Sequence, residues 1–404
     1  MANTLNLGNG NWAVKKDSLL GYNSENNNYK PLPFDFTRAS SATVVNKAGL
    51  IETVGSGEPR IDFSNDAKGA LLLEPTRSNY QPYSEDFSVW NAADVTVSSS
   101  YGLSPDGSNN SSLITEGTGS AQHRILKASP ASSGIYTFSC FVKNKVGNHQ
   151  AYIDMGTVTG FFDFDTKTMY SAAGTTNIES WSNDWYRISI TSNSNVTPSA
   201  SYIGIGKNNT ETFQGDGSSA IEFFGAQLEE GYATSYIPTS GSAVTRVGDV
   251  CNNGANEQVI NSTEGVLYAE ISALSDDLTL RQISLSDGTT SNQLVIYYGN
   301  VSNKIFYYLS VGGVAQVNDS VIISDIVSFN KIAFKYKQND FQLWINGINV
   351  LSDLSGNTYP TSTLSELNLT NGQASGDYFY GNVKDVRVYN TALTDAELQQ
   401  LTAI

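Results

Sequence analysis

Residues 329–351 read FNKIAFKYKQNDFQLWINGINVL. In the first half Ile332, Phe334 and Tyr336 alternate with Lys335 and Lys337. Alternate residues of an extended chain share a face, so apolar and charged side chains separate. In the second half Phe341, Leu343 and Ile345 take one face and Trp344 the other. Asn346-Gly347 follows, the dipeptide favoured where a two-residue hairpin turn needs positive φ. The stretch predicts antiparallel strands with one core face and one wet face.

The same rhythm recurs along the 404-residue chain. In IYTFSCFV (135–142), Tyr136, Phe138, Cys140 and Val142 share a face. In WYRISIT (185–191), Tyr186, Ile188 and Ile190 oppose Trp185 and Arg187. Helical periodicity is confined to the end, LTDAELQQL (393–401). There Thr394 and Glu397 are spaced as a capping box, and Leu398 with Leu401 form an apolar pair able to dock on a sheet. Charged residues are only 15% and Tyr numbers 22, which suits pleated, half-buried surfaces.

A net charge of −16 without any Lys/Arg cluster repels polyanions, so nucleic acid is excluded as a partner. No apolar run reaches 18 residues, so no membrane helix is predicted. The first residues, MANTLNLGNGNWAVKKDSLL, lack the apolar core of a secretory signal. Synthesis in a cytoplasm is expected, with later transport on an assembled particle left open. The two cysteines, Cys140 and Cys251, leave one disulfide open but exclude a disulfide scaffold. Cys140 lies among apolar strand neighbours and reads as a core residue.

Breaks in the strand rhythm divide the chain into an N-terminal arm and hairpin module (1–82), a first sandwich (83–248) and a second (249–404). FDFTRASSATVVNKAGLIETV (34–54), EPRIDF (58–63) and GALLLEPTRSNYQPYSEDFSVW (69–90) resemble a module common in bacteriophage virion proteins of head- or tail-fibre type. Within it Val44 and Val45 should pair with Leu50 and Ile51 across Asn46–Gly49, while Arg38, Arg60 and Arg77 either anchor neighbouring chains or make local ion pairs. SEDFSVW (84–90), YTFSCFVK (136–143), FFDFDTKT (161–168), DWYRISI (184–190) and FFGAQLEEGYATSYIPT (223–239) resemble carbohydrate-binding jelly rolls. The opening stretch of 329–351 and YGNVKDVRVYNTALTDAELQQL (380–401) resemble laminin-G-like, concanavalin A-like sandwiches. The predicted fold is therefore all-β: a hairpin module, a jelly roll, a concanavalin A-like sandwich and a short C-terminal helix.

The resemblances imply a structural component of a tailed-phage virion that displays glycan-binding sandwiches on host-surface or environmental sugars. They imply attachment to other virion proteins through the N-terminal region, a homo-oligomer, with a trimer favoured, and location in the virion. An architectural capsid or neck protein without sugar binding and a polysaccharide depolymerase stay open as alternatives. Catalytic patterns argue against an enzyme. No Glu is followed two residues later by Asp, so the glucanase carboxylate strand of this sandwich type is missing. GxSxG and HExxH are absent, and the two histidines, His123 and His149, stand in unrelated contexts. Sugar binding needs aromatic faces among planar polar groups. Tyr297, Tyr298, Tyr307, Tyr308 and Trp344 are the candidates, although alternation requires that some point inward. No cofactor is expected; a calcium ion, which some laminin-G-like domains hold at a loop rim, stays open, with Asp276, Asp277 and Asp319 as candidates by residue type. Asp163 and Asp165 read as a solvated strand end.

Overall fold

The computed structural model describes residues 2–29 and 33–404. The expected N-terminal arm therefore lies outside the described residues at positions 1 and 30–32. The rest forms two units. One comprises Met1–Ser41, Val54–Pro75 and Val247–Ile404, the other Ala42–Thr53 and Thr76–Arg246.

In the first unit one sheet runs in the order Ile348–Asp353, Phe341–Ile345, Asn330–Lys337, Glu264–Ala273, Gly381–Tyr389, Ala70–Leu73, Ile61–Asp62. Leu5–Gly8 shares the edge of Gly381–Tyr389, pairing Leu5 with Val388 and Gly8 with Asp385. Leu71–Leu73 pairs with the other end of the same strand. The facing sheet runs Val314–Ile322, Lys304–Val311, Gln293–Tyr298, Arg281–Ser286, Glu366–Asn368. Phe334, Tyr336, Phe341 and Leu343 from the opening stretch meet Ile283, Leu294, Ile296 and Leu309 in one buried core. Asn346 and Gly347 both hold positive φ, 50° and 82°, as the hairpin turn requires.

The second face of the opening stretch is not wet. Trp344 joins Val266, Tyr268, Ala333, Tyr389, Leu393 and Leu398 in a buried cluster beneath the helix Asp395–Thr402. Lys335, expected in water, is buried and ion-paired to Asp340 at 2.6 Å. Both halves of the capping box at Thr394 and Glu397 form. An eight-residue helix is marginal alone. Burying Leu398 and most of Leu393 contributes about 1.5–3 kcal/mol each, enough to hold it.

The second unit is a jelly-roll-type sandwich. Its sheets run Asn91–Ala93, Ser120–Ala128, Ala200–Gly206, Gln150–Asp154, Thr159–Asp163, Thr168–Tyr170, and Val95–Ser98, Ser112–Glu116, Ala220–Glu230, Tyr136–Val146, Tyr186–Ser192, Gly174–Ser180. Tyr136, Phe138, Cys140, Val142, Ile188 and Ile190 fill the core between them. The hairpin Ala42–Val45 and Ile51–Val54 closes at Gly49, φ 77°. Ile51 from it packs with Phe141, Trp185, Phe224 and Tyr236.

The contacts thus group the chain differently from a division at 82 and 248. Strands as short as Leu5–Gly8 and Ala70–Leu73 are apolar and cannot bury themselves, so they complete a sheet of the C-terminal sandwich. Arg38 and Arg60 are not free to anchor neighbours. Both are fully buried; Arg38 pairs with Asp249 at 3.0 Å, and Arg60 with Glu74 at 2.5 Å and with Asp249. Arg77 lies 4.9 Å from the ring centre of Tyr232. Cys140 and Cys251 are free, buried thiols, each pushed up by burial. No helix among the described residues is long and apolar enough to cross a membrane.

Candidate functional site

Strands Gln293–Tyr298 and Lys304–Val311 lie side by side with Tyr297 opposite Phe306 and Val295 opposite Tyr308. Leu294, Ile296, Tyr298, Ile305, Tyr307 and Leu309 enter the core. Period-two geometry then turns Val295, Tyr297, Phe306 and Tyr308 to the outer face. Tyr297 and Phe306 stack with centroids 5.0 Å apart and planes 16° from parallel. Lys304 Nζ lies 5.0 Å from the Phe306 ring centre. A Cβ at Gly299 would come within 2.8 Å of the Phe306 ring, so the bare glycine lets the ring lie down. Val295 is buried, while Tyr297, Phe306 and Tyr308 are half-buried.

Polar groups border these rings. Gln282 is opposite Tyr297, and its amide donates to Asp377 at 3.2 Å. Asn318 is opposite Tyr308 and Ser320 opposite Phe306. Burial, then the neighbouring Tyr308, holds the Tyr297 hydroxyl above its ordinary range, so it stays a neutral donor and acceptor. Flat rings with an amide and hydroxyl border suit the C–H faces and hydroxyls of a sugar ring.

The five aromatic candidates separate cleanly. Tyr297 and Tyr308 belong to this face. Tyr298 and Tyr307 point into the core, 1% and 2% exposed, so neither presents a ring to solvent. Trp344 does leave the core, but the C-terminal helix covers it and its indole donates to Gln342 at 2.9 Å. Phe306 was missed, although the alternation of KIFYYLSV (304–311) places it beside Tyr308.

The three aspartates proposed for calcium do not converge. Asp276 accepts from Ser302 and from the Asn303 amide. Asp277 pairs with Arg281 at 2.7 Å and accepts from Thr279. Asp319 pairs in register with Tyr307 and accepts from Ser320 N. Among the described residues, Glu116, His149 and Asp216 in the other unit are the acidic and histidine side chains whose ligand atoms gather tightly.

The jelly roll carries an aromatic row of its own. Cross-strand pairing aligns Arg124, Gly204, Tyr152, Phe161 and Tyr170. Arg124 stacks 4.3 Å over Tyr202 and donates to Tyr152 Oη at 3.2 Å. Tyr152 Oη in turn donates to Asp154 at 3.1 Å. Tyr152 and Phe161 are buried and Tyr170 is half exposed, so only the ends of this row reach solvent.

The family described as the concanavalin A-like lectin/glucanases superfamily matches residues 269–399. Residues 269–399 form a concanavalin A-like domain. The outer face with Tyr297, Phe306 and Tyr308 lies inside the matched segment, whereas Leu5–Gly8 and Ala70–Leu73 complete the sandwich from outside it. Among solved structures, the chain is similar to the Ruminococcus gnavus IT-sialidase CBM40 bound to alpha2,3 sialyllactose. That match has 17% identity and a TM-score of 0.29, covering 35% of this chain and 83% of that one. It is similar to mouse laminin alpha1 domains LG4-5 at 9% identity and TM-score 0.26, covering 70% and 91%. Sheep galectin-11 in complex with glycerol matches at 11% identity and TM-score 0.22, covering 31% and 88%. No curated protein sequence matches the chain.

Proposed function

We propose that the protein is a non-catalytic structural component of a phage virion that binds glycans through its concanavalin A-like domain. The observation that carries the glycan reading is the stacked Tyr297–Phe306 pair beside Tyr308, on an outer sheet face bordered by Gln282, Asn318 and Ser320. Such a surface binds one sugar weakly, and many copies on a particle would supply avidity. The virion context, attachment to other virion proteins and a trimeric assembly rest on the resemblance of residues 34–90 to fibre-type proteins. A host-surface or environmental polysaccharide is the partner this reading names.

A glycan array probed with the multimerised protein tests it. Specific signals on a related group of sugars, lost in Tyr297→Ala, are expected. An array without signals, or signals indifferent to Tyr297→Ala, would overturn the reading of this face.

A further inference from the structure

We propose that Glu116, His149 and Asp216 form a binding site for a divalent transition-metal ion of the zinc type at one rim of the jelly roll. Each ligand arrives on a different segment. Glu116 ends the strand Ser112–Glu116, His149 precedes Gln150–Asp154, and Asp216 lies between Thr212–Gln214 and Ala220–Glu230. One ligand atom from each lies within 4.8 Å of the other two.

The rim is built tightly around them. Asp216 N donates to Glu116 Oε1 at 2.6 Å, which fixes one oxygen and aims the other. Ser219 Oγ donates to Asp216 Oδ2 at 2.7 Å. The Glu116 amide donates to Ser219 O at 3.0 Å, and Gly217 N to Gly117 O at 3.2 Å. A Cβ at Gly147 would sit 2.2 Å from Ser219 Oγ, and one at Gly215 would sit 2.1 Å from Gly117 O. The three segments therefore approach as closely as bare backbone allows.

Two buried polar atoms point to the ligand. Glu116 is 3% and His149 9% exposed. Glu116 Oε2 and His149 Nδ1 lie 2.9 Å apart, yet neither has a hydrogen bond of acceptable direction. The two stand at ion-pair distance without a hydrogen bond, and since buried polar atoms are normally hydrogen-bonded, the pair needs an explanation. Ligand atoms at about 2.0–2.2 Å from one tetrahedral ion lie about 3.3–3.6 Å apart, so this pair need open by only a few tenths of an ångström to hold one. The exposed Asp216 carboxylate, within 4.8 Å of both, is the third ligand. Hydrogen bonds from Ser218 and Ser219 hold its carboxylate at the rim. One imidazole with two carboxylates selects a borderline ion over calcium, which takes all-oxygen sets.

The other histidine is a built-in control. His123 Nδ1 lies 3.0 Å from Asp94 O, and its Nε2 lies 3.1 Å from Phe213 O, so a backbone carbonyl blocks each ring nitrogen. With only two histidines in the chain, imidazole ¹⁵N spectra report each site separately. Titrating the full chain with ZnCl₂ should shift the His149 nitrogens to saturation at one ion per chain and leave His123 in place. Asp216→Asn, a change at an exposed position, should weaken zinc binding by at least about tenfold while far-UV circular dichroism is unchanged. Glu116→Gln should abolish it. Stationary His149 resonances at excess zinc, non-saturating shifts, or an Asp216→Asn protein that binds as the parent does would each overturn the site.

Discussion

At the scale of single residues, burial decides which aromatic side chains can meet a ligand. Trp344 looks like a lectin tryptophan in sequence but sits under the helix. Trp344→Ala should cost about 3–5 kcal/mol in urea unfolding and leave glycan binding unchanged. Asp249 shows the same logic for charge. It accepts from Arg38 and Arg60, both fully buried, and from Glu74 N at 2.8 Å. Asp249→Asn removes the carboxylate that Arg38 and Arg60 share, leaving Arg60 with Glu74, and should cost about 3–5 kcal/mol, measurable by chemical denaturation. Tyr307 supplies a pH test. Burial, then the Asp319 charge, pushes its hydroxyl from an ordinary 10.0 up to about 12. Below 10.0 both states keep the proton and its contribution is whole. Between 10.0 and 12 the unfolded chain loses the proton first, so stability should fall through that window. Tyr307→Phe should flatten part of the fall in denaturation midpoints measured across it. The sequence showed that alternation divides Tyr297 from Tyr298 and Tyr307 from Tyr308, but not which parity faced the core. That needed the partner sheet.

Among the elements, strands and the helix were the most legible. The alternation of Ile332, Phe334 and Tyr336, the turn at Asn346-Gly347 and the capping box at Thr394 all appear where local chemistry places them. Local chemistry did not show that the helix would cover the face carrying Trp344 and Lys335. A covering element far along the chain turns a wet face into a second small core. Thr394→Ala should cost about 1 kcal/mol through the lost cap. Leu398→Ala should cost about 2–5 kcal/mol because it empties the helix's only fully buried leucine position. Equilibrium unfolding of the two variants checks the order. Equal losses would mean the helix is held by its cap and not by the sheet. The Glu116, His149 and Asp216 group was illegible for the same reason: its members are distant in sequence, and only the closing of the sandwich rim gathers them.

For the whole molecule, the fold class was readable and the assignment of segments was not. Leu5–Gly8 and Ala70–Leu73 carry too few residues to announce a sandwich, yet they pair with Gly381–Tyr389. Deleting residues 2–29 should expose that strand's edge and produce aggregation, followed by light scattering, even though the matched domain at 269–399 is intact. A monodisperse, fully folded deletion would show the strand to be dispensable. The central claim is that the outer aromatic face of the concanavalin A-like domain binds sugar. Its most direct test is the affinity of the best array glycan for the parent chain and for Tyr297→Ala/Tyr308→Ala, measured by titration calorimetry. A loss of about tenfold or more, some 1.4 kcal/mol, with an unchanged melting profile is expected. Equal affinity in the two proteins would contradict the assignment and move the search to the Arg124 and Tyr202 end of the jelly roll.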